Sequence, residues 1–225
     1  MNLDGSIGPP RHRRVVTTKS EWAYEEVRKM ILGGELKPGA TVNQEELAGE
    51  LQISVTPLRE GLRRLEGEGF VTLNAHRTLT INGLSAQELE DVYAMRLLLD
   101  PLAVALATQR MTGEQVAVVN RLARAHPRGG PTAVLAANRE FHRAVYAASG
   151  NSFLTRTLDQ LWSAADRYRL ALISEHGSVI PRVDAEHLEI AEAVAARDAA
   201  TASSLMQRHV GTTLNWIKEL LEERA

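Results

Sequence analysis

Between Val42 and Leu65 the chain reads VNQEELAGELQISVTPLREGLRRL, and its apolar period restarts once in the middle. Leu47 and Leu51 stand four apart behind Asn43, a capping residue with Glu46 placed to reach back to it, which predicts a short helix. Gln52-Ile53 breaks that period. Ser54 can cap a second helix, Pro57 is tolerated in its opening turn, and Leu58, Leu62 and Leu65 recur at i, i+4 and i+7. With each residue turning about 100°, the leucines share one bearing while Thr56, Arg59 and Arg63 gather roughly 100 to 160° away. Gly61 lies toward the leucine side, where the lack of a side chain lets another backbone come close.

The flanking segments extend this into a small unit. Thr18 to Glu21 has the form of a capping box, and Trp22, Val27, Ile31 and Leu32 form a helical stripe that ends at Gly33-Gly34. Lys37-Pro38-Gly39 predicts a turn. After Gly67-Glu68-Gly69 the period changes to β-rich runs, Phe70 to Leu73 and Thr78 to Ile81, around Asn74-Ala75-His76-Arg77, which predicts a hairpin. Three helices and a hairpin over residues 18–82 make a winged helix-turn-helix, with His76 and Arg77 at the wing tip near a duplex backbone or minor groove. Asn82-Gly83 closes the unit as a short hinge. Residues 1–17 carry Arg11, His12, Arg13 and Arg14 among glycines and prolines, and are expected to form a flexible basic arm.

From Ser85 to the end every periodic stretch is helical, which predicts an all-α bundle of six helices over residues 85–225. Ser85 with Glu88 opens a long helix to about Met111, striped by Val92, Met95, Leu99, Ala103 and Leu106. Thr112, Pro131, Asn151, Pro181 and Asp198 open the next five, with Pro127, Gly129-Gly130, Gly150 and His176-Gly177 as breaks. The last helix carries Leu205, Val210, Leu214, Ile217 and Leu221. The fold class is mainly α.

Composition narrows the function classes. The chain of 225 residues has no cysteine, which excludes a disulfide framework, thiolate chemistry and cysteine-based zinc sites, and fits a cytoplasmic protein. No apolar run reaches the length of a bilayer span and no signal-peptide segment is visible, so no membrane partner is expected. The formal net charge of −2 gives no basic excess. A nucleic-acid function must rest on where the charges lie. The helix after Ser54 supplies that placement: guanidinium forks match guanine or phosphate acceptors, and a capped N-terminus suits phosphate.

The helical part carries a second chemistry. Asn138 and His142 stand four apart on one helix, and His187 and His209 lie among apolar positions of two others. A single inward histidine is commonly a core residue; three on separate helices with a carboxamide make a borderline donor set for zinc or another divalent transition metal, nickel included. Arg96 sits in an apolar stretch, YAMRLLLDPLAVA, with Asp100 one turn later. It is either an intrahelical ion pair or an anion anchor facing the histidines, since Arg takes carboxylates bidentately. Trp162, Arg167 and Arg169 are further pocket candidates. Two other readings stand beside this one: a purely structural, metal-free histidine cluster, and a metal-dependent hydrolase with Glu186 or Glu189 as base.

These residues resemble the GntR transcriptional regulators, in the FadR-like branch with an all-helical FCD effector domain. The likeness is carried by Pro38-Gly39, Leu47-Ala48, Ser54-Val55-Thr56-Pro57-Leu58-Arg59-Glu60, Leu65-Glu66 and Glu68-Gly69. The resemblance implies that Ser54, Thr56 and Arg59 contact DNA and that Arg63 lies along it, beside Arg77, which the hairpin reading places at the wing tip. It implies metal ligands at Asn138, His142, His187 and His209, and an effector anchor at Arg96. Three departures are present: Val55 where the family usually has Arg, Thr78 where it usually has the wing Gly, and Asn138 where it has Asp. The last replaces an anionic oxygen with a neutral one and should weaken metal binding without abolishing it. The implied function is a cytoplasmic, homodimeric, metabolite-responsive repressor without enzymatic activity, with a small carboxylate effector and an inverted-repeat operator.

Overall fold

A computed structural model of the chain describes residues 18–125, 131–176 and 180–223; the side chains at 131–132 and 170–184 also lie outside it. The expected basic arm over residues 1–17 and the breaks at Pro127, Gly129-Gly130 and Gly177 therefore fall outside the described residues. Apolar side chains gather in two separate clusters. One draws on Ala23 through Ile81, the other on Leu89 through Leu220.

The first cluster is built by α1 (Lys19–Leu32), β1 (Thr41–Asn43), α2 (Gln44–Glu50), α3 (Val55–Gly67), β2 (Val71–Leu73) and β3 (Thr78–Ile81). Thr18 caps α1 by accepting from the Glu21 amide, and Asn43 caps α2 by accepting from the amides of Glu45 and Glu46. Leu58, Leu62 and Leu65 of α3 are fully buried, as their spacing predicts. Gly61 meets α1 without a gap: a Cβ there would stand 2.8 Å from the Tyr24 nitrogen and 3.1 Å from the Ser20 carbonyl oxygen. Only a residue without a side chain lets these two backbones approach so closely.

Two expectations need correction in this part. Trp22 is 41% exposed and Ala23, Tyr24, Val27 and Met30 form the buried face of α1, so the stripe is rotated from the one expected. Tyr24 and Met30 are the residues that decide it, because each has a flexible or amphipathic side chain that hydropathy alone does not place. The second correction is β1, which joins the hairpin in a three-stranded antiparallel sheet of order β1-β3-β2, with Val42 opposite Leu79 and Thr72 opposite Thr80. A strand of three residues shows too little alternation to be read from sequence. Gly39, at φ +80, turns the chain into it and donates to the Ile81 carbonyl.

The second cluster is built by α4 (Ala86–Arg110), α5 (Gly113–Ala123), α6 (Pro131–Ala147), α7 (Ser152–His176), α8 (Ile180–Ala195) and α9 (Ala199–Glu222). Ser85, Thr112 and Asp198 act as caps as expected, and Asn151 accepts from the amides of Phe153 and Leu154. The phase of α4 differs from expectation. Its buried line runs through Leu89, Tyr93, Arg96, Asp100, Ala103, Val104 and Ala107, while Met95, Leu98 and Leu102 are 46%, 68% and 48% exposed. The helix is apolar nearly all round, so period alone cannot choose its inner face. Burial passes through Arg96 and Asp100 because the two charges neutralise each other. On α9 the buried residues are Ala202, Met206, His209, Val210, Ile217 and Leu220; Leu205, Leu214 and Leu221 are half-covered.

Candidate nucleic-acid interface and metal centre

The leucine face of α3 turns the opposite edge outward. Ser54, Thr56, Arg59 and Arg63 are all exposed on one side of the helix or at its start. The Ser54 side chain makes no capping hydrogen bond although Ser54 is the N-cap, so its hydroxyl is not spent on its own helix. Arg59 is aimed by a residue that sequence reasoning passed over: its Nε donates to Gln44 Oε1 at 2.9 Å, and Gln44 Nε2 donates to the Thr78 carbonyl at 3.2 Å. Gln44 is almost fully buried, and it ties α2, α3 and the wing together at one point. Val55, in the position where the family has Arg, is half-buried against the apolar cluster.

Arg77 is exposed at the wing tip and pairs with Glu45 of α2. The turn residues His76 and Arg77 have φ of 63° and 60°, while Thr78 is extended at φ −107°. The backbone conformation that favours glycine therefore sits at His76-Arg77 rather than at Thr78.

In the helical bundle the three histidines converge. One ring nitrogen from each of His142, His187 and His209 lies within 4.8 Å of the others, and all three residues are buried. His142 Nε2 and His187 Nε2 are 3.2 Å apart. Two imidazole nitrogens held about 2.0–2.1 Å from a single zinc ion would stand at about that spacing.

Hydrogen bonds set the orientation of two of the rings. The Tyr146 hydroxyl donates to Asp100 Oδ2 at 2.9 Å, so its oxygen accepts the proton on His142 Nδ1, 2.9 Å away. His209 Nδ1 stands 2.7 Å from Glu186 Oε2 and donates to it. Each bond leaves the ring's Nε2 lone pair for a ligand. Burial holds all three histidines below the usual imidazole range; for His142 and His187 the neighbouring rings add to this, while for His209 Glu186 opposes it. Neutral imidazole is the form that binds a metal.

Asn138, one turn before His142 on α6, has a buried Oδ1 with no hydrogen-bond partner among the described residues. Three neutral imidazoles and one unspent carboxamide oxygen fit a divalent transition ion, so these four residues could hold one. Tyr146 follows His142 by one further turn. The four-residue rhythm Asn138, His142, Tyr146 was a signal available in the sequence.

Arg96 is fully buried beside this cluster. Its Nη2 donates to Asp100 Oδ2 at 2.8 Å, and its guanidinium carbon lies 4.2 Å from the Trp162 ring centroid. Arg96, Asp100, Tyr146 and His142 thus form one connected chain. The Asp100 charge keeps the Arg96 guanidinium protonated against a large burial penalty.

The bundle also touches the end of α3. Arg167 of α7 donates to the Gly69 carbonyl and to the Glu88 carboxylate, and the Tyr168 hydroxyl lies 3.1 Å from the Ser85 carbonyl. The same Gly69 carbonyl accepts from Asn82 Nδ2 at 2.9 Å. Asn82 is thereby pinned to the turn that ends α3. Trp162, Asp166 and Arg169 lie on the same helix as this anchor and are buried in the bundle.

Residues 19–81 match the bacterial regulatory proteins of the gntR family, and residues 91–212 match the FCD domain. The Nta operon transcriptional regulator of Aminobacter aminovorans is 32% identical over 196 residues, 85% of this chain and 91% of that protein. The chain is a GntR-family transcriptional regulator with an FCD domain. The transcriptional repressor GlaR of Escherichia coli strain K12 is 28% identical to this regulator, across 92% of the chain and 99% of its own length. Among solved structures, E. coli McbR/YncC shares the fold at a TM-score of 0.73 and 22% identity, over 90% of this chain and 98% of that one.

Membership in a GntR regulator class makes the regulator a DNA-binding, non-enzymatic protein. Of the two carboxylates named for the hydrolase alternative, Glu186 accepts from His209 and Glu189 pairs with Arg208. Among the described residues no helix is long and apolar enough to cross a membrane.

Proposed function

We propose that this regulator is a cytoplasmic, metabolite-responsive repressor, in which residues 18–82 bind an operator and residues 85–225 bind a small carboxylate beside a divalent metal, zinc before nickel. The observation that carries this reading is the buried convergence of His142, His187 and His209 with the unspent Asn138 Oδ1, next to a fully buried guanidinium at Arg96. A cation bound by neutral ligands leaves positive charge in a buried site, and a carboxylate effector is the group that both the ion and Arg96 would take.

At the DNA end, Ser54, Thr56, Arg59 and Arg63 would enter the major groove, and Arg77 would follow the backbone from the wing. The exposed line Met95, Leu98 and Leu102 on α4 is the surface on which two copies would pair. Such a two-fold contact would match an inverted-repeat operator. The physical link between effector and operator is α7: Arg167 holds the turn that ends α3, and Trp162 and Arg169 border the effector site from the same helix. A ligand that prefers one placement of α7 would shift DNA affinity by that preference.

The test is metal analysis of regulator purified without added ions, followed by gel-shift titration on a duplex selected from a random pool. The expected result is near one divalent ion per chain in the wild type and little in His142→Ala, with release of the duplex by a small hydroxy acid in the wild type only. Equal, near-zero metal in both proteins would favour the structural histidine cluster and overturn the metal reading.

A further inference from the structure

We propose that Glu45 sets the strength of operator binding: its carboxylate holds the wing guanidinium of Arg77, and a duplex binds there only by taking that guanidinium away. This rests on the reading of Arg77 as a backbone contact and adds a residue that works against it.

Two neighbouring residues in the first turn of α2 each hold an arginine proposed to meet the duplex. Gln44 accepts from Arg59 Nε at 2.9 Å, and Glu45 pairs with Arg77 of the wing. The two partners differ in charge. A carboxamide leaves the guanidinium its full positive charge for the groove, whereas a carboxylate cancels it. Among the described residues, Arg77 is the only one of Arg59, Arg63 and Arg77 to pair with a carboxylate.

Exposed ion pairs are commonly weak because two long side chains must be ordered to form them. Here both ends are placed in advance. Asn43 Oδ1 accepts from the amides of Glu45 and Glu46, at 2.7 and 3.4 Å, which fixes the turn that carries the carboxylate. On the wing, His76 and Arg77 hold the left-handed backbone, at φ 63° and 60°, that residues with a side chain rarely adopt. The Thr78 carbonyl beside them accepts from Gln44 Nε2 at 3.2 Å and from the Asn74 amide at 3.0 Å, so the turn is tied to α2 and closed on itself. Arg77 thus leaves a fixed backbone in the direction of Glu45. The two side chains are still 63% and 54% exposed, so the pair is open to exchange with a phosphate.

A phosphate that reaches Arg77 also comes within a side chain's length of the Glu45 carboxylate. Two anions on one exposed guanidinium repel, and the carboxylate must either be displaced or take up a cation from solution as the duplex arrives. In both cases part of the electrostatic gain is lost. With a formal net charge of −2, the chain has no basic excess to make up the difference. Resting affinity is thereby held down, which brings operator release within reach of a modest effector preference.

The experiment is fluorescence anisotropy of the full-length regulator on a duplex selected from a random pool, across a range of salt, for wild type, Glu45→Gln, Arg77→Gln and the double variant. Glu45→Gln should tighten binding about two- to fivefold near about 0.1 M salt and steepen the plot of log affinity against log salt by up to about one. In the Arg77→Gln background the same change should gain clearly less, because no guanidinium is left to release. Equal gains in both backgrounds would mean that Glu45 acts only by repelling DNA, and would overturn the inference. Unchanged or weaker binding by Glu45→Gln would overturn it too, by making Glu45 a support of the wing. Arg59→Ala on the same duplex separates the two levels: loss of binding there with no gain in Glu45→Gln sinks the masking role alone, and no loss there sinks the operator-binding reading beneath it.

Discussion

Arg59 reaches outward because everything around it is held still. Leu58 and Leu62 on either side are fully buried, and Gln44 accepts from its Nε while anchored to the wing carbonyl of Thr78. A side chain so positioned loses less freedom when it meets an operator. Arg59→Ala is expected to weaken operator binding by about 1–3 kcal/mol, read by gel-shift titration of a selected duplex. Unchanged affinity would remove α3 from the groove. The residue types at this site were legible from sequence, since leucine spacing alone put Thr56, Arg59 and Arg63 on one edge, and the family resemblance added Ser54. The role of Gln44 was not, because a buried glutamine next to a cap leaves no periodic trace. Tyr146 does follow Asn138 and His142 at four-residue spacing, but the link its hydroxyl makes from His142 to Asp100, 46 residues away in the chain, is not a local pattern.

Among the elements, α7 packs its apolar residues into the second cluster and reaches the turn after α3 through a polar side chain. It carries Trp162 and Arg169 at the proposed effector site, and its Arg167 reaches the carbonyl of Gly69, immediately past the end of α3. A cation at that end is favoured by the helix dipole as well as by the hydrogen bond. Arg167→Ala is expected to leave basal DNA affinity within a few-fold of wild type and to shrink the change that an effector produces. Fluorescence anisotropy on labelled operator, with and without the acid, measures both quantities. An undiminished effector response would place the coupling elsewhere. The existence of α7 was plain in the sequence, capped by Asn151 and running to about Glu175. Its contact with Gly69 was not, because Arg167 and Gly69 are 98 residues apart and no local pattern joins them. For α4 the length was legible and the inner face was not: an apolar surface on nearly all sides gave period no preference, and the Arg96–Asp100 pair chose it.

At the scale of the whole molecule, the chain has two apolar clusters joined by a short connection and braced by Arg167 and Tyr168. A line of large apolar residues, Met95, Leu98 and Leu102, faces outward on α4 at i, i+3 and i+7. Spacing of this kind suits a helix pairing with its own copy. Leu98→Glu is expected to shift the regulator from dimer to monomer in sedimentation equilibrium and to reduce operator affinity with it, because one recognition helix reaches only one half-site. A dimer unaffected by Leu98→Glu would assign pairing to another face.

The sequence by itself determined the order of helices and hairpin, the leucine backing of α3 and the set of histidines, because capping, periodicity and turn chemistry act over a few residues at a time. Tertiary structure alone decided that the three histidines meet, that α4 buries a charged pair, and that one arginine of the bundle holds the end of the DNA-facing helix. These depend on groups far apart in the chain finding each other as the core closes, and on charges being buried only where a partner arrives from another turn or another helix.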